Sequence, residues 1–203
     1  NIWYTQFLCL HLQLQKSSIM KHKVSYVMCC MLLMMAACDN QDKGENLTQH
    51  VNPKIGSGGH GHVFVGASVP FGMVQLGPTS ITQEWDWCSG YHESESSVIG
   101  FSHTHLSGTG IGDLFDITLM PVTGNVTYAR GTVDNPTSGL WSEADRSHEV
   151  AEAGYYAVPL TRYAIRAELT ATARVGMHRY TFPESQEAAI VIDLENGGCW
   201  DRA

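Results

Sequence analysis

The sequence predicts an all-β protein, organised as an antiparallel β-sandwich. Glycine supplies 20 of the 203 residues and charged residues only 16% of them, a composition that favours a loop-rich β protein over a helical one. Short apolar segments separated by turn residues follow one another through the second half of the chain, at the intervals of roughly ten residues that are typical of sandwiches and barrels. No segment carries the apolar periodicity of a helix three turns long.

The amino-terminal segment is typical of a targeting sequence rather than of a folded domain. Residues 1–19 lack a starting methionine, and we interpret them as a leader or as mistranslated upstream sequence. From Met20, two lysines precede a mainly apolar run over residues 24–37. A basic region followed by an apolar region and small residues is typical of a signal peptide. The run is too short to cross a bilayer as a helix, which needs about 20 residues.

The cysteine that closes this segment defines a second feature. Met-Ala-Ala-Cys at residues 35–38 resembles the cleavage box of bacterial lipoproteins, in which the cysteine becomes the lipidated first residue. We therefore predict a lipoprotein signal peptide at 20–38, lipidation at Cys38 and a polar tether at 39–49. The predicted location is the cell envelope, in the outer membrane or periplasm, with membrane contact through the lipid anchor alone. An ordinary secretory signal cleaved nearby is the alternative.

The charge and the cysteines of the remaining chain exclude several classes of protein. Nine Lys and Arg stand against 20 Asp and Glu beyond the signal segment, a net charge of −11. Nucleic-acid binding needs a basic face, so this class is excluded. Of the six cysteines only Cys88 and Cys199 would remain, too few for a multi-bridge framework and without the Cys-x-x-Cys spacing of a zinc ribbon.

The mature domain is predicted to span residues 50–203, and it opens with a glycine-rich loop. Residues 51–77 contain seven glycines and two prolines, which argues against a long helix. The run at 56–62 lacks the Gly-Lys-Ser/Thr of a phosphate-binding loop. We predict a tight loop that presents His60 and His62 at the surface, followed by a short strand within 69–76.

The remaining strands are predicted from alternation and turn residues. In the strand at 115–122, Phe115, Ile117 and Leu119 are expected to share one face. A return strand is expected at 126–130, and residues 147–152 are expected to be charged surface. Further strands are predicted at 154–161, 163–172, 174–182 and 188–194. The last is apolar on both faces, as in a strand buried on both sides with a further neighbour, so we interpret the domain as incomplete at its C-terminal end.

The stretch from Trp85 to Asp113 is predicted to carry the function. It combines tryptophans, a tyrosine, histidines and aspartates with glycine, serine and threonine, and little Leu, Ile or Val. Such a composition favours a concave polar surface with flat aromatic walls, which suits sugars. Trp85 and Trp87 are expected to share one face of a strand, as a sugar platform or, for at least one of them, as core packing. Cys88 is expected to be packed rather than nucleophilic.

Five of the ten histidines fall between His60 and His105, and three interpretations stay open for them. The pairs 60/62 and 103/105 are spaced so that both rings share a face in a strand. They would hydrogen-bond the backbone of a polar layer, contact sugar hydroxyls, or ligate a divalent ion together with Asp86 or Asp113. The stretch also contains carboxylates of the kind that act as general acid and base in glycosidases. Their spacing in the sequence does not show which two would lie at the required distance, so we assign no catalytic residue.

Several strings of this sequence closely resemble the opening of glycoside hydrolase family 92. The matching strings lie at 51–62, 69–75, 87–91 and 100–113, and the resemblance covers about residues 50–200. Phe115 stands where we expect that family to carry glycine. The family comprises α-mannosidases, many of them from gut Bacteroidetes. The resemblance implies an N-terminal β-sandwich that packs on a larger (α/α)6 barrel, which is absent from this chain.

The resemblance also implies a function and a set of site residues. Catalysis would be inverting and calcium-dependent, with the acid, the base and most calcium ligands in the barrel. This chain would be the substrate-lining domain of an exo-α-mannosidase for mannose-containing glycans, not catalytic alone; a stand-alone surface carbohydrate-binding module is the alternative. The residues expected to line the substrate are Gly59, His60, Phe64, Trp85, Asp86, Trp87, Cys88, Tyr91 and His103, and none is assigned as a metal ligand.

Overall fold

The computed structural model describes residues 45–81, 83–132, 134–135 and 138–195. The predicted signal peptide and Cys38 lie outside these residues. No helix in the described part of the chain has the length and apolar character that a membrane span requires. Regular structure in these ranges consists of antiparallel strands and three single-turn 3-10 helices, at Leu47–His50, Trp85–Trp87 and Arg146–His148. The predicted all-β fold is confirmed.

The strands form two main sheets and a small two-stranded one. In chain order the strands are β1 (Ala67–Ser68), β2 (Gln75–Thr79), β3 (Ser97–Val98), β4 (Gly100–Ser102), β5 (Thr118–Thr123), β6 (Ser142–Glu143), β7 (Val150–Glu152), β8 (Tyr155–Leu160), β9 (Ile165–Ala171), β10 (Gly176–Thr181) and β11 (Ala188–Asp193). The first sheet has the order β1-β2-β4-β5-β11 and the second β10-β9-β8-β7, while β3 pairs with β6. Every pairing is antiparallel.

The core lies between the two main sheets, where β1 and β2 face β9. Strand β9 shows the predicted alternation: Ile165, Ala167 and Leu169 are buried, whereas Arg166 and Thr170 are exposed. Full burial of a large aliphatic side chain stabilises the fold by about 1.5–3 kcal/mol. The first sheet contributes Leu76, Phe101, Met120 and Val122 to the same cluster, and the second adds Tyr156 and Val158.

The face that Phe115, Ile117 and Leu119 were expected to share is not the face of β5 that packs in the core. Met120 and Val122 point into the core, whereas Ile117 is 51% exposed. The cause lies in the residues before the strand, since Phe115 and Ile117 adopt φ of 51° and 53°. Left-handed backbone breaks the two-residue alternation, so the pleat begins only at Thr118. Phe115 is buried all the same, but in a cluster with Cys88 rather than in the inter-sheet core.

Three further strand predictions need correction. Residues 69–72 form a turn, closed by the bond from Gly72 N to Val69 O at 2.9 Å, so that strand starts at Gln75. Residues 126–130 form no strand, because β4 and β11 already occupy the two edges of β5. Strand β11 is mostly exposed rather than buried on both faces, with Ile190 at 48% and Ile192 at 59%.

Candidate functional site

Two loops that are distant in sequence meet at one point of the surface. The first is the glycine loop at 56–62, and the second is the 3-10 turn Trp85–Trp87. A tight backbone crossing shapes the glycine loop, since a Cβ on Gly61 would lie 2.0 Å from the carbonyl oxygen of Gly56. Only glycine fits there. The loop ends on His62, which itself adopts a left-handed φ of 54°.

Two histidines and one aspartate converge where the loops meet. His60 Nδ1 donates to Asp86 Oδ1 at 2.7 Å, and His62 Nε2 donates to the same oxygen at 3.1 Å. The hydrogen bond from His60 is the main reason that the pKa of the Asp86 carboxyl lies below its usual value. Asp86 is therefore an ionised acceptor. The His60 side chain is 77% exposed and that of His62 only 5%, so the cluster opens to solvent on the His60 side.

Trp85 lies against both histidines and is fixed in place. Its indole Nε1 donates to the carbonyl of Gly110 at 2.7 Å. Its ring packs edge-on against His62 at 4.2 Å and more loosely against His60 at 5.7 Å between centroids. A Cβ on Gly110 would approach the indole to 3.0 Å, so this glycine lets the loop come close. Even so, 52% of Trp85 remains exposed, which is the arrangement that a stacking platform for a sugar requires.

Trp87 does not share the face of Trp85, contrary to the prediction from strand spacing. Because the two residues lie in a 3-10 turn with three residues per turn, positions i and i+2 point in different directions. Trp87 is partly buried and stacks on His92 at 4.5 Å with an interplanar angle of 27°. Its ring therefore packs against His92 instead of widening the platform.

Cys88 and Tyr91 are buried, which argues against the ligand contact predicted for them. Cys88 has no exposed surface, and burial raises the pKa of its thiol. That is the environment of an unreactive, packed cysteine. Tyr91 is 2% exposed and donates its hydroxyl to Glu149 at 3.1 Å. Burial likewise raises the pKa of this tyrosine. Both residues position the loop rather than face a ligand.

Glu149 ties the two site loops to the sandwich, a role that the sequence did not predict. Its side chain is fully buried and pairs with Arg146 and Lys54. Tyr156 donates to it at 2.6 Å, in addition to the bond from Tyr91. Lys54 comes from the approach to the glycine loop and Tyr91 from the end of the tryptophan loop, so one carboxylate anchors both. The predicted charged surface at 147–152 is therefore wrong at this position.

The second histidine pair does not join the first. His105 is buried, with its ring nitrogens 2.9 Å from Ser102 Oγ and 3.0 Å from the Ser89 carbonyl. His103 donates from Nδ1 to the Ile117 carbonyl at 2.7 Å and contacts His178 of β10 through Nε2 at 3.1 Å. These bonds fit the polar-layer interpretation for the pair. His103 accordingly belongs to a contact between the sheets and not to the surface cluster.

The remaining predicted residues lie beside the cluster. Gly59 adopts φ of 55° at the surface, and nothing would lie within 4 Å of a Cβ on it. Phe64 stacks on His105 at 5.1 Å and lines an open groove of about 660 Å³. The other walls of the groove are mainly apolar and include Val51, Val69 and the fully exposed Phe71. The surface thus joins a polar cluster, an exposed indole and an apolar groove.

Comparison with known proteins gives a consistent set of relatives. Residues 50–203 match the model of the glycosyl hydrolase family 92 N-terminal domain. An alpha-mannosidase of family 92 from Bacteroides thetaiotaomicron, solved in complex with mannoimidazole, is 44% identical; its TM-score is 0.73, and the alignment covers 77% of this chain and 20% of that one. A family 92 inverting mannosidase from the same organism is 23% identical with a TM-score of 0.63, over 77% and 21% of the two chains, and it shows the shared fold.

One curated relative comes from a fungus. It is described as an uncharacterized secreted glycosidase of Arthroderma benhamiae and is 29% identical over 163 residues. The alignment covers 73% of this chain and 20% of the relative. The chain therefore spans about a fifth of the length of the proteins that it matches.

Proposed function

Since residues 50–203 match its N-terminal domain, the chain belongs to glycosyl hydrolase family 92, and we propose that it lines the substrate cleft of an exo-α-mannosidase. The substrate would be a mannose-containing glycan. The chain would supply binding surface and not the groups that break the glycosidic bond. The similarity to an alpha-mannosidase of family 92 at 44% identity supports this proposal.

The observation that carries the proposal is the fixed, half-exposed indole of Trp85 beside a charged hydrogen-bonding group. A hexose presents C–H groups on one face, which pack on an indole, and hydroxyls around its rim. The rim hydroxyls would bond to Asp86 and to the exposed ring of His60, which lie next to the indole. Because the Gly110 carbonyl and His62 hold the indole in place, little conformational entropy would be lost on binding.

The chemistry itself would need groups beyond the described residues. An inverting glycosidase places an acid and a base about 6.5–9.5 Å apart, with a water molecule between the base and the sugar. We propose that these two carboxyl groups belong to a second, (α/α)6 domain of the same protein. The enzyme would be held at the cell envelope by a lipid on Cys38. Hydrolysis would then take place where extracellular or periplasmic glycans arrive.

The cluster of His60, His62 and Asp86 does not fit calcium, the proposed cofactor. Calcium takes six to eight oxygen ligands. The grouping of three potential ligands found among the described residues contains two imidazoles and a single carboxylate. As the family resemblance implies, we propose that most calcium ligands of the full enzyme belong to the second domain, and we assign no step to the ion here.

The test is a kinetic comparison in the full-length enzyme expressed from the natural gene. Mannose release from an α-mannobiose is measured for wild type, Trp85→Ala and, as a control, Tyr128→Ala, which removes an aromatic side chain that is 77% exposed on another loop. Loss of a stacking platform worth about 1.4 kcal/mol raises KM about tenfold. The control is expected to match wild type.

Two results would overturn the proposal. The first is a Trp85→Ala enzyme with the KM of wild type, which would mean that this indole does not contact the substrate. The second is mannan binding by the 203-residue chain combined with a stop codon directly after it in the gene, which would make the chain a stand-alone binding module. Proton NMR of the first anomer released tests inversion, and treatment with a chelator tests the dependence on calcium.

A further inference from the structure

We propose that His60, His62 and Asp86 bind one divalent transition-metal ion, with Zn²⁺ as the reference ion. The inference does not rest on the proposed sugar binding, because it follows from the ligand atoms alone. One ligand atom from each of the three residues lies within 4.8 Å of the other two. Two imidazoles and one carboxylate form a donor set that zinc and its neighbours in the first transition row prefer.

Two of the three distances between ligand atoms already suit an ion. Bonds of about 2.0–2.1 Å to nitrogen and oxygen place neighbouring ligand atoms about 2.9–3.4 Å apart. His60 Nδ1 and His62 Nε2 already lie 2.7 Å and 3.1 Å from Asp86 Oδ1. The third distance, between the ligand nitrogens of the two rings, is at most 4.8 Å, so the exposed ring of His60 would have to move toward that of His62 by up to about 1.5 Å. Neutral imidazole carries its proton on either nitrogen, so each ring frees the ligating atom by a change of tautomer.

The surroundings of the cluster hold two of the ligands and leave one side open. The His62 ring is 5% exposed and packs edge-on against Trp85, so it is pre-positioned. Asp86 lies in the 3-10 turn, with its side chain 24% exposed. The His60 side chain, 77% exposed, faces water. Three protein ligands with one open position are the arrangement of zinc sites that keep a bound water molecule.

The same donor set discriminates against the alkaline-earth ions. Calcium and magnesium select oxygen ligands and gain little from imidazole. A zinc ion held here would therefore be distinct from the calcium proposed for the full enzyme. The acidic chain, with a formal net charge of −8, favours cations in general, so selectivity must come from the two histidines and not from charge.

The experiment is a calorimetric titration of the purified 203-residue chain, stripped with EDTA and then dialysed free of it, with ZnCl₂ at neutral pH. We expect saturation at one Zn²⁺ per chain. His60→Asn and Asp86→Asn should each weaken binding at least about 100-fold, because each removes a direct ligand and loss of a mere outer-shell partner already costs about 10–100-fold. The change at His60 leaves the fold intact because that side chain is mostly exposed. Circular dichroism verifies the fold of each variant.

A matched control exists elsewhere on the surface. His148 Nδ1 lies 2.7 Å from Asp145 Oδ2, an exposed pair without a second histidine. His148→Asn should bind Zn²⁺ as wild type does. Substitution of Co²⁺ should give visible absorption bands typical of nitrogen and oxygen ligands, and CaCl₂ should not compete. The proposal is overturned when wild type binds no Zn²⁺, or when His60→Asn and Asp86→Asn bind it as tightly as wild type.

The outcome is separable from that of the sugar proposal. Trp85→Ala, which tests the platform, removes none of the three ligand atoms. Mannoside binding by the full-length enzyme, measured in EDTA with an excess of CaCl₂, reports on the platform without zinc, because EDTA then still removes Zn²⁺ while calcium stays available. A protein that binds zinc but no mannoside would retain this inference and refute the proposed function, and the reverse combination would refute only the zinc site.

Discussion

Acidification should destabilise the fold through His178, a histidine of β10 that faces the other sheet. Its Nε2 donates to His103 Nε2 at 3.1 Å, because His103 already donates from Nδ1 to the Ile117 carbonyl at 2.7 Å. Its Nδ1 accepts from the Tyr180 hydroxyl at 2.7 Å. While both rings are neutral, each ring N–H of the pair therefore has a hydrogen-bond acceptor. An additional ring proton would have none. Burial, and then the neighbouring His103, hold the pKa of His178 at about 4.

The sign and size of the effect follow from proton linkage. The unfolded chain binds a proton at this residue near the ordinary pKa of 6.5, whereas the folded chain binds it only near 4. Above pH 6.5 His178 is neutral in both states, so its titration does not change the free energy of unfolding. Between pH 6.5 and pH 4 only the unfolded chain binds the proton, so each fall in pH favours the unfolded state. A change from about pH 7.5 to about pH 5 would remove about 2 kcal/mol. Partial exposure of the ring reduces this to about 1 kcal/mol.

The assay is urea unfolding of the full chain, followed by tryptophan fluorescence at both pH values. His178→Asn removes the titrating ring and keeps a polar side chain near Tyr180. Because carboxylates elsewhere also titrate, the quantity of interest is the pH-dependent loss in wild type minus that in the variant. We expect about 1 kcal/mol. His148→Asn, a change at a side chain that is 72% exposed, should follow wild type within about 0.5 kcal/mol.

Equal losses of unfolding free energy in wild type and His178→Asn would refute this reasoning. They would mean that the folded protein accepts a proton at His178 as easily as the unfolded chain does. A larger loss in the variant would point to a different fault, namely a gap between the sheets where the ring had been.

Three other substitutions test the fold and the site. Glu149→Gln should lower the free energy of unfolding by about 3–5 kcal/mol in urea, because it removes a fully buried carboxylate and leaves two partly buried cations, Lys54 and Arg146, unpaired; Glu168→Gln, which breaks a pair with an exposed arginine, should cost about 1 kcal/mol or less. Gly110→Ala, at φ of 65° and with a Cβ that would meet the indole at 3.0 Å, should shift the tryptophan emission and cost about 1–3 kcal/mol. Leu169→Ala should cost about 2–5 kcal/mol in the core, whereas Ile192→Ala, 59% exposed, should stay within about 0.5 kcal/mol. A core change as mild as the surface change would contradict the assigned core.

Strands whose faces differ in polarity were predictable, and strands preceded by unusual backbone were not. In β9 the alternation of apolar and polar residues agrees with the observed burial, because a two-residue period is a local property of the sequence. In β5 the same reasoning gives an alternation that is shifted by one residue from the observed burial. The left-handed φ of Phe115 and Ile117 is disfavoured for bulky and β-branched side chains, so the local sequence could not predict it. Phe115 also stands where glycine was expected, and glycine adopts such φ without strain.

The candidate site was predictable in part for a similar reason. Trp85, Asp86 and His60 are conspicuous by residue type in a glycine-rich stretch that could not form a core. Glu149 was missed because it lies among polar residues and resembles solvated surface. Its burial depends on Lys54, far earlier in the chain, and on two tyrosines. The available local signal was Arg146, three residues before it, which pairs with it in the structure.

Strained backbone at the site is consistent with a surface that is formed before any ligand arrives. His62 and Phe71 adopt φ of 54° and 58°, conformations that cost roughly 1–3 kcal/mol each and persist only where the surroundings enforce them. At His62 the enforcing contacts are its bond to Asp86 and the indole of Trp85. Behind them, Glu149 clamps the ends of both loops to the sandwich. Rigid loops reduce the entropy lost on binding, so the energy stored here is best explained by a function that needs these side chains held in place.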